Sequence, residues 1–358
     1  MMEDANEVPN AAADITEAVR GYYGETLHSG ADLKTSACCT AETMPAYLRE
    51  LLGKLHPEVK ERFYGCGSPI PSALEGATVL DLGCGSGRDV YLLSALVGEC
   101  GRVLGVDMTP QQLEVAERHR DFHIHAFGHT RSNVEFRRGD LSNLAAFGIA
   151  DASVDVVVSN CVLNLVPDKP RAFAEILRVL KPGGELYFSD VFADRRLPRG
   201  LLADPVLVGE CLAGAMYVED FRRLLAELGI VDARVCARSA IALNEPAIEQ
   251  RIGFAQFTSI TWRVFKLPLE DCCEDYGQVA TYRGTLVESP HRFVLDDHHV
   301  FEAGKPTRVC GSTADMLSAT RYAPHFRVDG DKSRHFGLFD CGAETGTAVP
   351  QGGPTRCC

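Results

Sequence analysis

Positive charge is what this chain has least of. Its 36 lysines and arginines face 49 aspartates and glutamates, a formal net charge of −13. A nucleic-acid backbone or an anionic membrane surface calls for a basic face, so neither is an expected partner. No apolar run reaches the roughly 18 residues that a membrane span needs. The opening MMEDANEVPN is acidic, with no apolar h-region and no arginines, so a reducing cytoplasm is the expected setting. There is no internal repeat, heptad or exposed apolar stripe, and a monomer is expected. Cys272–Cys273 has no second cysteine or histidine pair at zinc spacing to accompany it.

Cysteine itself is plentiful, with fourteen in 358 residues. A chain this long is not a small disulfide-stapled scaffold. In a reducing compartment so many thiols are buried filler, soft-metal ligands or redox groups.

Residues 1–13 read as disordered. A short helix is expected over 14–23, with Asp14 and Glu17 at capping-box spacing, and further helices over 43–52 and 57–64. Cys38 and Cys39 fall on the loop between the first two helices. Cys66 follows the third, with Gly65 and Gly67 giving it backbone freedom on both sides. Apolar runs at 77–82, 102–106, 133–137, 154–159 and 184–190 then alternate with amphipathic segments such as 111–127 and 169–180. That alternation predicts an α/β fold with a doubly wound, mostly parallel sheet. Strands at 233–237 and 257–267 complete seven, as an antiparallel edge. The expected domains are 14–267, a small α+β unit over 268–340, and a mobile tail over 341–358 ending in Cys357 and Cys358.

The most informative stretch is ATVLDLGCGSGRDVY at 77–91, a strand, a glycine-rich turn and the start of a helix. Asp107 follows twenty residues after Gly87, at the end of the second strand. Such a layout holds a nucleoside cofactor, with the backbone turning at Gly83 and approaching the ligand at Gly85 and Gly87. The glycines are spaced two and two, unlike a nicotinamide fingerprint. Asp81, just before them, suits a cofactor with a cationic ammonium and no pyrophosphate. The motif resembles that of class I S-adenosylmethionine-dependent methyltransferases. The resemblance implies that Asp81 and the Gly83 backbone hold the methionine part and Asp107 the ribose diol. It puts Met108 beside the adenine, and Asp140 and Leu141 at the adenine edge. Asp140 reads equally well as a solvated loop residue, and Ser142 stands where an acidic residue is often found.

No general base is evident at the carboxyl ends of the strands. Cys161 is there instead, at the end of the fourth strand, and Cys211 follows the fifth among small residues. Phe63-Tyr64-Gly65-Cys66-Gly67, Ser159-Asn160-Cys161 and Gly209-Glu210-Cys211, with the glycine motif, resemble arsenite methyltransferases from about residue 15 to 330. This resemblance implies arsenite and methylarsenite as substrates, held by thiolates of Cys66, Cys161 and Cys211. It adds Tyr64 and Asn160 to the cofactor site. It also implies a Cys38–Cys66 disulfide, re-reduced by thioredoxin or glutathione. Soft trivalent arsenic prefers thiolates to carboxylates or imidazoles, which agrees. Cys66 is expected to swing in when arsenite binds. Two alternatives remain: a methyltransferase for a small organic acceptor, and a thiol-rich arsenic-binding or redox-sensing protein. Cys84, Cys100, Cys236, Cys272, Cys273 and Cys310 read as filler, and His119, His123, His125 and His129 as the polar face of an outer helix.

Overall fold

Runs rich in valine and leucine form the central strands: β1 (Thr78–Leu82), β2 (Arg102–Asp107), β3 (Val134–Arg138), β4 (Val154–Asn160) and β5 (Leu180–Ala193). The computed structural model describes residues 21–22, 44–243 and 245–341. The expected helix over 14–23 apart from residues 21–22, the N-terminal disorder, Cys38, Cys39 and the Cys357–Cys358 tail lie outside the described residues. Three more strands, β6 (Met216–Tyr217), β7 (Ala233–Ile241) and β8 (Phe257–Phe265), complete the sheet. Its order is β3-β2-β1-β4-β5-β8-β7, parallel from β3 to β5 and antiparallel at β8 and β7. The expected seven strands are therefore joined by an eighth. The two residues of β6 extend the sheet beside the end of β5, too short a segment to carry a periodic signal.

Alternation along the strands feeds two cores. Leu80 and Leu82 of β1 face a cluster with Phe173, Phe188, Phe221 and Trp262. Val79, one residue out of phase, faces Val90, Tyr91, Val103 and Val156 on the other side. The helices are α1 (Ala46–Gly53), α2 (Pro57–Glu61), α3 (Arg88–Val97), α4 (Pro110–Arg118), α5 (Arg120–Phe127), α6 (Lys169–Val179), α7 (Pro205–Gly209), α8 (Val218–Glu227) and α9 (Pro246–Ile252). None of the described helices is long and apolar enough to cross a membrane.

The single helix expected over 111–127 is broken at His119. Its ring stacks on His56, with centroids 3.6 Å apart, and its Nε2 lies 2.6 Å from Glu58. These contacts to α2 hold the junction between α4 and α5. His123 is also not on a polar face. It is buried and stacked on Tyr91, and burial lowers its pKa to about 4.

Beyond the large sheet, β9 (Val279–Tyr282) lies between β12 (Pro306–Arg308) and β13 (Phe326–Asp329), while β10 (Arg292–Val294) pairs with β11 (Val300–Glu302). The helix α10 (Gly311–Ser318) packs on them around Tyr282, Phe293, Phe301 and Tyr322. A buried ion cluster fastens this unit to the sheet. Glu185 of β5 accepts from Arg263 of β8 at 2.6 Å and pairs with Arg321, and Arg263 reaches the Leu295 carbonyl. Removing one partner of such a pair strands a buried charge, which costs roughly 3–5 kcal/mol. Arg263→Met is expected to lose about that much stability. Equilibrium urea unfolding measures it, and a loss below 1 kcal/mol would mean that Arg321 alone satisfies Glu185.

Candidate active site

The glycine turn after β1 folds back onto β2. The Gly83 and Cys84 amides donate to the Val106 carbonyl at 2.8 and 3.1 Å. Gly83 has a φ of 73°, and a Cβ there would lie 2.2 Å from the Val162 side chain, so glycine is required twice over. Gly87 differs from expectation. It opens α3 in a left-handed conformation and faces Phe136 and Ala116 rather than the cavity. Its role is helix packing.

Between this turn, the ends of β2 to β4 and residues 62–65 opens a cavity of about 770 Å³. Tyr64, Asp81, Gly83, Gly85, Asp107, Met108, Asp140, Leu141, Asn160 and Cys161 all stand in its wall. Asp107 is pre-set by two hydrogen bonds, from the Gly85 amide at 2.9 Å and the Thr109 amide at 2.8 Å. Asp140 is exposed and accepts from the Ser142 amide and hydroxyl, which makes Ser142 the brace of this loop. Asn160 does more than line the cavity. Its amide bonds both the N–H and the carbonyl of Gly67 and donates to Asp89 at 2.9 Å.

The electrostatics favour a cation. Asp81 is buried, and one of its oxygens has no hydrogen-bond partner. Burial pushes its pKa well above the carboxylate range, and the nearby Asp89 and Asp107 push it the same way. Burial raises Asp107 too. Arg88 is the local counter-charge, but it is turned to Asp89 at 2.9 Å and over the Phe63 ring. Asp89 is the residue that sequence reasoning missed, although it sits within the quoted motif, in the first turn of α3. An orphaned carboxylate oxygen beside two further carboxylates fits the ammonium and sulfonium charges of S-adenosylmethionine.

At one end of the cavity are the thiols. Cys66, Cys161 and Cys211 share one buried cluster, each no more than 4% exposed. Cys66 and Cys161 are joined as a disulfide, and the Cys211 thiol donates to the Cys161 carbonyl at 3.4 Å. Cys38, the expected exchange partner, lies outside the described residues, whereas Cys66 is bonded to Cys161 and folded into the cluster. Its loop is fixed by close approach, since a Cβ on Gly67 would lie 2.3 Å from the Ser189 hydroxyl and one on Gly65 2.5 Å from the Asn160 amide. The Ser259 hydroxyl donates to the Cys66 carbonyl at 3.1 Å. Cys161 and Cys211 have φ values of 56° and 60°. Among the described residues only Ala73 and Ala152 share that left-handed conformation without being glycine. Such strain costs about 1–3 kcal/mol per residue and collects at functional sites. Spacing along the chain carries no sign of it.

Residues 73–229 match the family described as Methyltransferase domain, and residues 276–347 the one described as Arsenite methyltransferase C-terminal domain. An arsenite methyltransferase of Aquipseudomonas alcaligenes is 54% identical over 328 residues, which cover 91% of this chain and 94% of that one. That of Mus musculus is 42% identical over 316 residues, covering 88% and 84%. The crystal structure of an arsenic (III) S-adenosylmethionine methyltransferase from Chlamydomonas reinhardtii superimposes with a TM-score of 0.80 at 49% identity. It covers 83% of this chain and all of that one.

The raised pKa of Asp81 has a sign that can be tested. A carboxyl whose folded pKa lies above its unfolded one stabilises the fold when protonated, and that benefit is lost as the pH rises. Asp81→Asn is therefore expected to stabilise the cofactor-free protein at pH 7 by about 1 kcal/mol, seen as a higher melting temperature, with the gain fading toward pH 4. Thermal unfolding across that range checks it; an equal gain at both ends would exclude a charge effect.

Proposed function

The chain belongs to the arsenite methyltransferases, and from that premise we propose that Cys66, Cys161 and Cys211, once reduced, hold trivalent arsenic through three sulfurs at the cavity wall. It is an S-adenosylmethionine-dependent enzyme of arsenic methylation. The observation that carries the three-thiolate reading is the meeting of three cysteines, distant in sequence, in one buried cluster whose Cys161 also lines the cavity.

Three sulfurs leave the arsenic lone pair on the uncovered side, and that lone pair is the nucleophile. No proton has to leave it, so no general base is required. When bound, S-adenosylmethionine supplies an electrophilic methyl group on a cationic sulfur. Asp81 takes its ammonium and Asp107 its ribose hydroxyls, while Tyr64, Met108, Asp140 and Leu141 enclose the rest. Asn160 acts through the Gly67 backbone as a positioning residue for Cys66. The chain's contribution is mainly alignment, which lowers barriers by roughly 7–11 kcal/mol when reacting atoms are well placed.

The Cys66–Cys161 disulfide has to open before arsenic binds. A Cys38 thiolate attacking Cys66 would free Cys161 as a thiolate and leave Cys38–Cys66 disulfide-bonded. Methylation takes arsenic formally from trivalent to pentavalent, and oxidation of a dithiol to a disulfide returns the two electrons. Thioredoxin or glutathione then restores the thiols. A monomer in a reducing cytoplasm belongs to the same proposal.

The test is the formation of methylated arsenic from arsenite, S-adenosylmethionine and a thiol reductant. Cys161→Ser and Cys211→Ser are expected to lose methylation altogether. Cys66→Ser and Cys38→Ser are expected to fail mainly at the first methylation while still acting on methylarsenite. Full activity in Cys211→Ser would exclude the three-thiolate site.

A further inference from the structure

A second pair of thiols lies outside the cavity wall, in the C-terminal unit. The Gly311 amide donates to the Glu274 carbonyl at 2.9 Å, which ties the residue after Cys310 to the residue after Cys273. Cys310 is fully buried and caps α10, accepting from the Thr313 amide at 3.5 Å. Its sulfur lies 3.3 Å from the Thr313 hydroxyl, which in turn accepts from Arg234 at 3.4 Å. Cys273 is half-buried, and its carbonyl is held by the Phe339 amide at 2.7 Å. Neither thiol is filler in these surroundings. The Cys273 thiol hydrogen-bonds Cys310, and with Arg234 and Thr313 it outweighs burial to bring the Cys310 pKa down to about 5.

We propose that Cys273 and Cys310 form a second thiol site, separate from the catalytic one, that takes a trivalent arsenical with two exchangeable ligands. The identity of the ligand rests on the arsenic reading above. The chemistry selects methylarsenite over arsenite. Two thiols satisfy both exchangeable positions of methylarsenite, whereas arsenite has a third that this pair leaves on oxygen. Capture is a condensation. Two As–O bonds break, two As–S bonds form, the two thiol protons leave with the hydroxyls as two waters, and arsenic stays trivalent. The half-buried Cys273 provides the approach, and the buried Cys310 completes the bridge behind it.

Phenylarsine oxide, which has the same two exchangeable positions, is the probe. Full-length protein carrying Cys66→Ser, Cys161→Ser and Cys211→Ser is reduced, given one equivalent of the probe and digested with trypsin. The expected product in mass spectrometry is arsenic bridging peptide 267–283 to peptide 309–321. Cys272→Ser is expected to keep the bridge, whereas Cys310→Ser and Cys273→Ser each abolish it. Cys273→Ser spares the cap of α10, so its loss of the bridge is not a folding effect. Arsenic held by peptide 267–283 alone, through Cys272 and Cys273, would overturn the proposal, as would no capture by the folded variant. If the bridge forms but wild type does not methylate arsenite, the functional reading falls, and with it the assignment of methylarsenite.

Discussion

Cys161 occupies a left-handed turn at the end of β4, and both halves of the site depend on that turn. Its amide donates to the Ser189 carbonyl of β5 at 2.8 Å, its carbonyl accepts the Cys211 thiol, and its sulfur is bonded to Cys66. The next residue, Val162, fills the space that the missing side chain of Gly83 leaves open. One dipeptide therefore touches the glycine turn with one side chain and the thiol cluster with the other. A parallel sheet places strand ends side by side, and here that rim brings the glycine turn next to the three thiols.

Charge is arranged with the same economy. The cavity gathers three carboxylates around one buried orphan oxygen, while the nearest guanidinium is committed to Asp89. Such a cavity is poorly balanced when empty and better matched when a ligand carrying an ammonium and a sulfonium is present. The thiol cluster packs among valines, leucines, isoleucines and alanines, with the Ser189 and Ser259 hydroxyls beside Cys66.

How much of this was legible in sequence follows from which features are local. Strand runs and the glycine motif depend on near neighbours, so the sheet and most of the residues that line the cavity were readable. The break at His119 was not, because it is made by His56 and Glu58 on another helix. β6 is two residues long and exists only because β5 overruns its neighbours. Cysteine positions were visible, but which thiols pair is a tertiary fact, and the bond of Cys66 to Cys161 could not be read from spacing. The same holds for Cys310, which looks like an apolar filler until Arg234, Thr313 and Cys273 are placed around it.

The central claim is that arsenic is held by three sulfurs from Cys66, Cys161 and Cys211. X-ray absorption at the arsenic edge, on reduced protein with one equivalent of arsenite, tests it most directly. Three sulfur neighbours and no oxygen are predicted, falling to two sulfurs and one oxygen in Cys211→Ser. An oxygen neighbour in the wild type, or a spectrum unchanged by that substitution, would contradict the account.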